Sequence, residues 1–129
     1  MSTMQKYAEF LGRVLIAALF LLTGLMKIPG YVGTQHYMVA MGVPAFLLPM
    51  VIALEVGGAI AIVVGWQTRL VALAFAVFSI GTALLFHLDF AQQMQMIMFL
   101  KNFAIAGGFL VIFAYGPGPI SLDRRRASP

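Results

Sequence analysis

Four apolar stretches dominate the chain, at about 8–28, 45–65, 70–88 and 95–115. Each is close to the ~20 residues that an α-helix needs to cross the hydrocarbon core of a bilayer. None alternates polar with apolar residues at the two-residue period of a barrel strand. Only helices and closed barrels satisfy their own backbone in lipid, so the pattern predicts four membrane-spanning helices. The breaks between runs have their own chemistry. Pro29-Gly30 stops the first, and Gly42-Val43-Pro44 precedes the second. Gly65-Trp66-Gln67-Thr68 turns the chain into the third, and Gly116-Pro117-Gly118-Pro119 closes the fourth. Proline cannot continue a helical ladder and glycine tolerates the turn. Between the first two runs, GYVGTQHYMVAMGVP predicts a short interfacial helix, capped by Thr34 and running to about Met41, with Tyr31 and Tyr37 at headgroup level. The expected fold class is therefore all-α, a membrane-spanning four-helix bundle with a short interfacial helix between helices 1 and 2, in one domain over residues 1–129. The first run has too long an apolar core for a signal peptide, and no small-x-small cleavage site follows it, so it is expected to remain as a span.

Composition strengthens that reading. Of the 129 residues, 62% are hydrophobic and 9% charged, where soluble domains are about half apolar and a quarter charged. There are no cysteines, which removes disulfides, thiolate metal sites and iron–sulfur clusters. The net charge of +4 does not form a nucleic-acid face. With four spans, Lys6, Arg13, Arg69, Arg124, Arg125 and Arg126 all fall on one side, while Lys27 and Lys101 lie inside helix ends toward the other. The excess of positive charge predicts that both termini are cytoplasmic, with residues 120–129 as a basic tail and Trp66 and Tyr115 near the inner interface.

One residue breaks the hydrocarbon pattern most sharply. Glu55 sits about ten residues from either end of the second run, roughly 15 Å deep at ~1.5 Å per residue. A charge there is costly on an insertion scale unless something compensates it. Lys27 lies at the outer end of the first run and His87 and Asp89 at the outer end of the third. Lys101 and Asn102 lie about two turns into the fourth. Four helices thus place polar groups between the membrane centre and the same outer face. This predicts a shared outward-facing polar pocket of Glu55, Lys27, Lys101, Asn102 and His87, with Glu55 at its floor. Ala53, Gly57 and Ala61 are spaced by four, as are Ala104 and Gly108, with Gly58 and Gly107 beside them. Such small-residue spacing lets helices approach closely.

These residues carry a resemblance. GLMK at 24–27, EVGG at 55–58, GWQTR at 65–69, His87, KN at 101–102 and ISLDRR at 120–125 resemble the DoxX family of small four-helix membrane proteins. The likeness is to its YqjF-like inner-membrane subgroup, in which GTQHYMVAMGVP also has a counterpart. It spans nearly the whole chain; Val56 stands where a bulkier leucine or phenylalanine is more usual. The resemblance implies a bacterial inner (plasma) membrane location. It also implies that Lys27, Glu55, His87, Lys101 and Asn102 occupy the family's recurring polar positions. Some members are named as membrane subunits of quinone-linked oxidoreductases, or occur with redox and oxidative-stress partners, and many have no assigned activity.

The individual residues leave alternatives open. Glu55 is either a proton-relay or ligand group, or a structural pair with Lys27 or Lys101 that fixes helix register. Lys27 either binds an anionic head group or snorkels to the interface, the second being favoured. His87 either titrates or accepts a quinone carbonyl, or is an interfacial histidine bonded to a neighbour, again the favoured account. His36 falls in a loop, which argues against joint haem ligation with His87. Met94, Met96 and Met98 are spaced by two, wrong for one helix face, so packing explains them better than copper and no metal site is expected. No nucleotide loop, Ser/His/Asp set or metal-ligand spacing marks a stand-alone enzyme. The expected function is a non-catalytic subunit or accessory of a redox or stress-related membrane system, binding a quinone or a lipid. The alternatives are a small proton-coupled transporter with Glu55 as its protonatable group, and a structural or assembly factor. The partners expected are the bilayer, a redox partner protein and further copies of the chain, and no nucleic acid.

Overall fold

The computed structural model describes residues 1–127. Ser128, Pro129 and the side chain of Arg126, all part of the expected basic tail, lie outside the described residues. Helix α1 spans Thr3–Met26, α2 Tyr31–Ala40, α3 Leu48–Val64 after a 3₁₀ turn at Ala45–Leu47, α4 Thr68–Phe86, α5 Gln93–Tyr115 and α6 Leu122–Ala127. The fold class is all-α, and α1, the stretch Ala45–Val64, α4 and α5 are each long and apolar enough to cross a membrane. At most 28% of the most apolar window of any of them is buried, so apolar side chains face outward along every span, as they do toward lipid rather than water.

The ends differ from the sequence expectation for local reasons. Helix α1 begins at Thr3 rather than near residue 8, because Ser2 and Gln5 form a reciprocal capping box. It stops at Met26, so Pro29-Gly30 belongs to the connecting turn. Helix α2 starts at Tyr31 with Gly30 as its cap residue, not at Thr34. Thr34 lies one turn inside and its hydroxyl donates to the Gly30 carbonyl at 2.9 Å, the back-bond that competes with capping.

The chain forms two compact units, one of Met1–Thr68 with the chain from Pro117 onward, the other of Arg69–Gly116. In the first, α1 and α3 pack antiparallel: Arg13 meets the carbonyls of Ile62 and Val63, and Gly24 meets Glu55 and Val56. Gly24 permits that approach. A Cβ there would stand 2.9 Å from Glu55 Cβ and 2.9 Å from Val56 Cγ2, closer than carbon atoms pack. In the second unit, α4 and α5 are also antiparallel. Phe75 and Phe109 stack with centroids 4.9 Å apart, and at the loop end the Phe90, Phe99 and Phe103 rings follow one another at 5.1 and 4.8 Å.

The segment after Pro117 is stitched back onto the first unit by polar bonds. Arg13 is 1% exposed. Its guanidinium pairs with Glu9 at 2.7 Å and donates to the carbonyls of Ile62, Val63 and Ile120. Counted in the sequence among the charges of one membrane side, Arg13 is in fact a buried fastener. Asp123 accepts from the amides of Gln67 and Thr68 at 2.9 and 2.8 Å and from the Thr68 hydroxyl at 2.7 Å. A residue 55 positions later in the chain thus caps the first turn of α4. Gly65 makes room for this. It has φ 75°, and a Cβ there would collide with Ser121 Cβ. Asp123→Ala is therefore expected to lower stability by about 0.5–2 kcal/mol, the range for a lost N-cap, and Asp123→Asn by less. Detergent thermal unfolding of the two variants checks this, and an unchanged Asp123→Ala protein contradicts the cap.

Candidate functional site

Glu55 lies near the middle of α3 and is 2% exposed. Its carboxylate does not face the acyl chains. Oε1 meets Lys27 Nζ at 2.8 Å, and Oε2 accepts the Thr23 hydroxyl at 2.6 Å. Thr23 Oγ1 also lies 3.3 Å from the Phe20 carbonyl, but it has one proton to give, and the shorter contact to a charged acceptor is the stronger. Both carboxylate oxygens are therefore satisfied, one by a cation and one by a hydroxyl. The end of α1 and its cap build this: Thr23 supplies the donor, Gly24 removes the side chain that would hold α3 away, and Lys27, the cap residue just after α1, brings its ammonium to the carboxylate. Lys27 does not snorkel away from the helices; it is the partner of Glu55.

An open groove of about 540 Å³ runs beside this pair. Thr23, Met26 and Lys27 line it from the end of α1, and Gly30, Gly33, Thr34 and Tyr37 from the turn and α2. Its volume is within the range of small-molecule sites. Glycines at 30 and 33 leave the α2 wall low, and a Cβ built at Gly33 meets nothing within 4 Å. The interfacial segment, which in the sequence offered only its tyrosines and a cap, thus forms half of the candidate site. The GxxGT pattern of 30–34 was the available signal.

The other anticipated pocket residues belong to the second unit, where Asn102 and His87 have partners. The Asn102 side-chain amide donates to the Thr82 hydroxyl at 3.1 Å. His87 Nδ1 lies 2.8 Å from Gln95 Oε1, the neighbour-bonded histidine that the sequence favoured. Lys101 and Asp89 are exposed, and so is His36, which lies within α2 and not in a loop. Among the small residues, Gly58 and Ala61 are buried, whereas Ala53, Gly57 and Ala104 are exposed and Gly108 half-buried. Among the described residues no group of three or more His, Cys, Asp or Glu side chains is placed to hold a metal ion.

The family model described as DoxX matches residues 8–88. Two proteins of Escherichia coli strain K12 are similar over most of the chain. Inner membrane protein YqjF is 48% identical over 124 residues, covering 96% of this chain and 95% of its own. Inner membrane protein YphA is 40% identical over 122 residues, covering 89% of this chain and 87% of its own. No solved structure matches the chain.

Breaking the ion pair from one side leaves a buried carboxylate without its cation. Lys27→Met is expected to cost about 3 kcal/mol, the lower end for a broken buried pair because Lys27 is partly exposed. Adding Glu55→Leu should restore most of that loss. The measurement is a double-mutant cycle by denaturant or thermal unfolding in detergent. Additive effects would mean that the two side chains do not interact.

Proposed function

The chain belongs to the DoxX family of integral inner-membrane proteins, and on that premise we propose that it is a non-catalytic accessory subunit that holds a lipophilic molecule, a quinone or a lipid, in the groove along α1 and α2. The observation that carries this reading is the coincidence of that groove with the one deeply buried acid of α3 and its lysine partner. An acid used only as helix glue needs no open volume beside it. Here one of the pair, Lys27, lines the cavity while the other is sealed behind it. Met26 in the groove wall, and Ile28 and Val32 next to lining residues in the chain, are exposed apolar side chains, which suit a ligand arriving from the bilayer. In a redox reaction the electrons would come from a partner protein, and the groove would supply the binding and orientation of the lipophile. The family's quinone-linked members, named above, support this placement in a redox or stress-related system.

The same reading places both termini in the cytoplasm and the groove toward the opposite face. It is supported by the exposed Arg69 in the first turn of α4 and by the exposed Arg124 and Arg125 that follow the last span in the chain.

Two measurements test the proposal. Native mass spectrometry of the protein extracted in mild detergent should show a co-purifying lipophile, which Glu55→Gln loses. A wild-type protein that carries nothing, while Glu55→Gln still changes stability, would make the pair structural alone. For orientation, the absence of native cysteines makes single additions clean. An impermeant maleimide applied to spheroplasts should label Ala91→Cys, in the exposed loop between α4 and α5, and leave Met4→Cys unlabelled. The reverse pattern inverts the topology.

A further inference from the structure

The charges around the groove restrict what it can hold. Lys27 contributes one positive charge and Glu55, 2.8 Å away, one negative, and no other lining residue is charged at neutral pH. The wall is formally neutral. It is not short of donors, however. An ammonium has three N–H bonds, and the Glu55 carboxylate oxygen takes one. The two threonine hydroxyls are already committed, Thr23 to Glu55 and Thr34 to the Gly30 carbonyl, and the third lining hydroxyl, the Tyr37 phenol, carries no charge. Lys27, 27% exposed, therefore remains as a cationic donor whose charge has been compensated from behind. It is also the cap residue of α1, where the helix presents the negative end of its dipole.

We infer that this groove selects a lipophile whose head is a neutral carbonyl acceptor over one that carries a formal negative charge. The inference rests on the ligand-binding reading above and names the chemistry of its ligand. A carbonyl oxygen takes an N–H of Lys27 and adds no charge. A phosphate or carboxylate head would have to give up a strongly held hydration shell to a wall of no net charge, and would bring a second anion to an ammonium already paired with Glu55. One ammonium would then be shared between two anions. The apolar remainder of the ligand lies along Met26 and over Gly33, whose missing side chain leaves the groove open.

The test uses the full chain in detergent and three probes of matched chain length: a short-tailed benzoquinone, a diacylglycerol and phosphatidylglycerol. Retention of each is read by native mass spectrometry and by the shift in thermal unfolding. The wild type should retain the neutral carbonyl probes about tenfold better than phosphatidylglycerol, the ratio expected where about 1.4 kcal/mol of the cost of desolvating its phosphate is not recovered. Which of the two neutral probes binds more tightly separates a quinone from a glycerolipid source. Gly33→Phe should abolish retention without lowering the unfolding temperature, since its side chain enters open space. It keeps the test valid if Lys27→Met folds poorly. Tighter retention of phosphatidylglycerol than of either neutral probe would overturn the charge argument while leaving a ligand-binding groove in place. Retention of all three probes unchanged by Gly33→Phe, or of none by the wild type, would remove the groove as a site altogether.

Discussion

A carboxylate in the middle of a membrane-spanning helix must be neutralised or partnered, and much of the first unit is arranged to partner one. Removing Glu55 from water costs several kcal/mol on the scales that describe insertion into the bilayer. Coulomb attraction to Lys27 and a hydrogen bond from Thr23 offset that cost only if α3 lies close against the last turn of α1. Gly24 is what allows this closeness. The acid, the glycine, the hydroxyl and the lysine are thus one device. Thr23, Gly24 and Lys27 fall within five residues of α1, and the packing of α1 on α3 is the geometry that joins them to Glu55.

The opposite end of the same unit solves a related problem with the opposite charge. Arg13 is as deeply buried as Glu55, and its partners are a carboxylate one turn earlier and three backbone carbonyls. Two of those carbonyls, of Ile62 and Val63, are among the last of α3, which have no acceptor role inside the helix. Capping them with a guanidinium satisfies the arginine and the helix end together. Asp123 does the reciprocal work at the start of α4, where amides are the unpaired groups. The returning C-terminal segment is thereby fixed by the termini of two helices.

These two clusters have different relations to open space. Arg13 and Asp123 do not line the groove, and their bonds run to helix ends and to the returning segment. The Lys27–Glu55 pair borders a groove, and its lysine is shared between the protein interior and that groove. This contrast separates a fastening from a candidate site, although Arg13 and Lys27 both join α1 to α3. It also explains why polarity inside a span is an incomplete guide to function: buried charge shows where a partner is needed, while the shape beside it shows whether anything else can enter.

What the amino-acid pattern determined alone follows from length and hydrophobicity. Four runs near the thickness of a bilayer require four spans, and a lone acid among them requires company. Both are consequences of moving polar groups into hydrocarbon, and they hold whatever the packing. The motifs GLMK, EVGG, GWQTR and ISLDRR were visible too, but not their roles. That Glu55 would choose Lys27 over Lys101, that Gly24 rather than the Ala53–Gly57 spacing would admit the neighbouring helix, and that Asp123 would cap a helix 55 positions earlier all depend on which faces meet. An apolar helix in lipid has no polar face to fix its rotation, so its sequence leaves that rotation nearly free. The tertiary structure decided it, through close backbone approach at one glycine and through the few polar atoms that had no water to turn to.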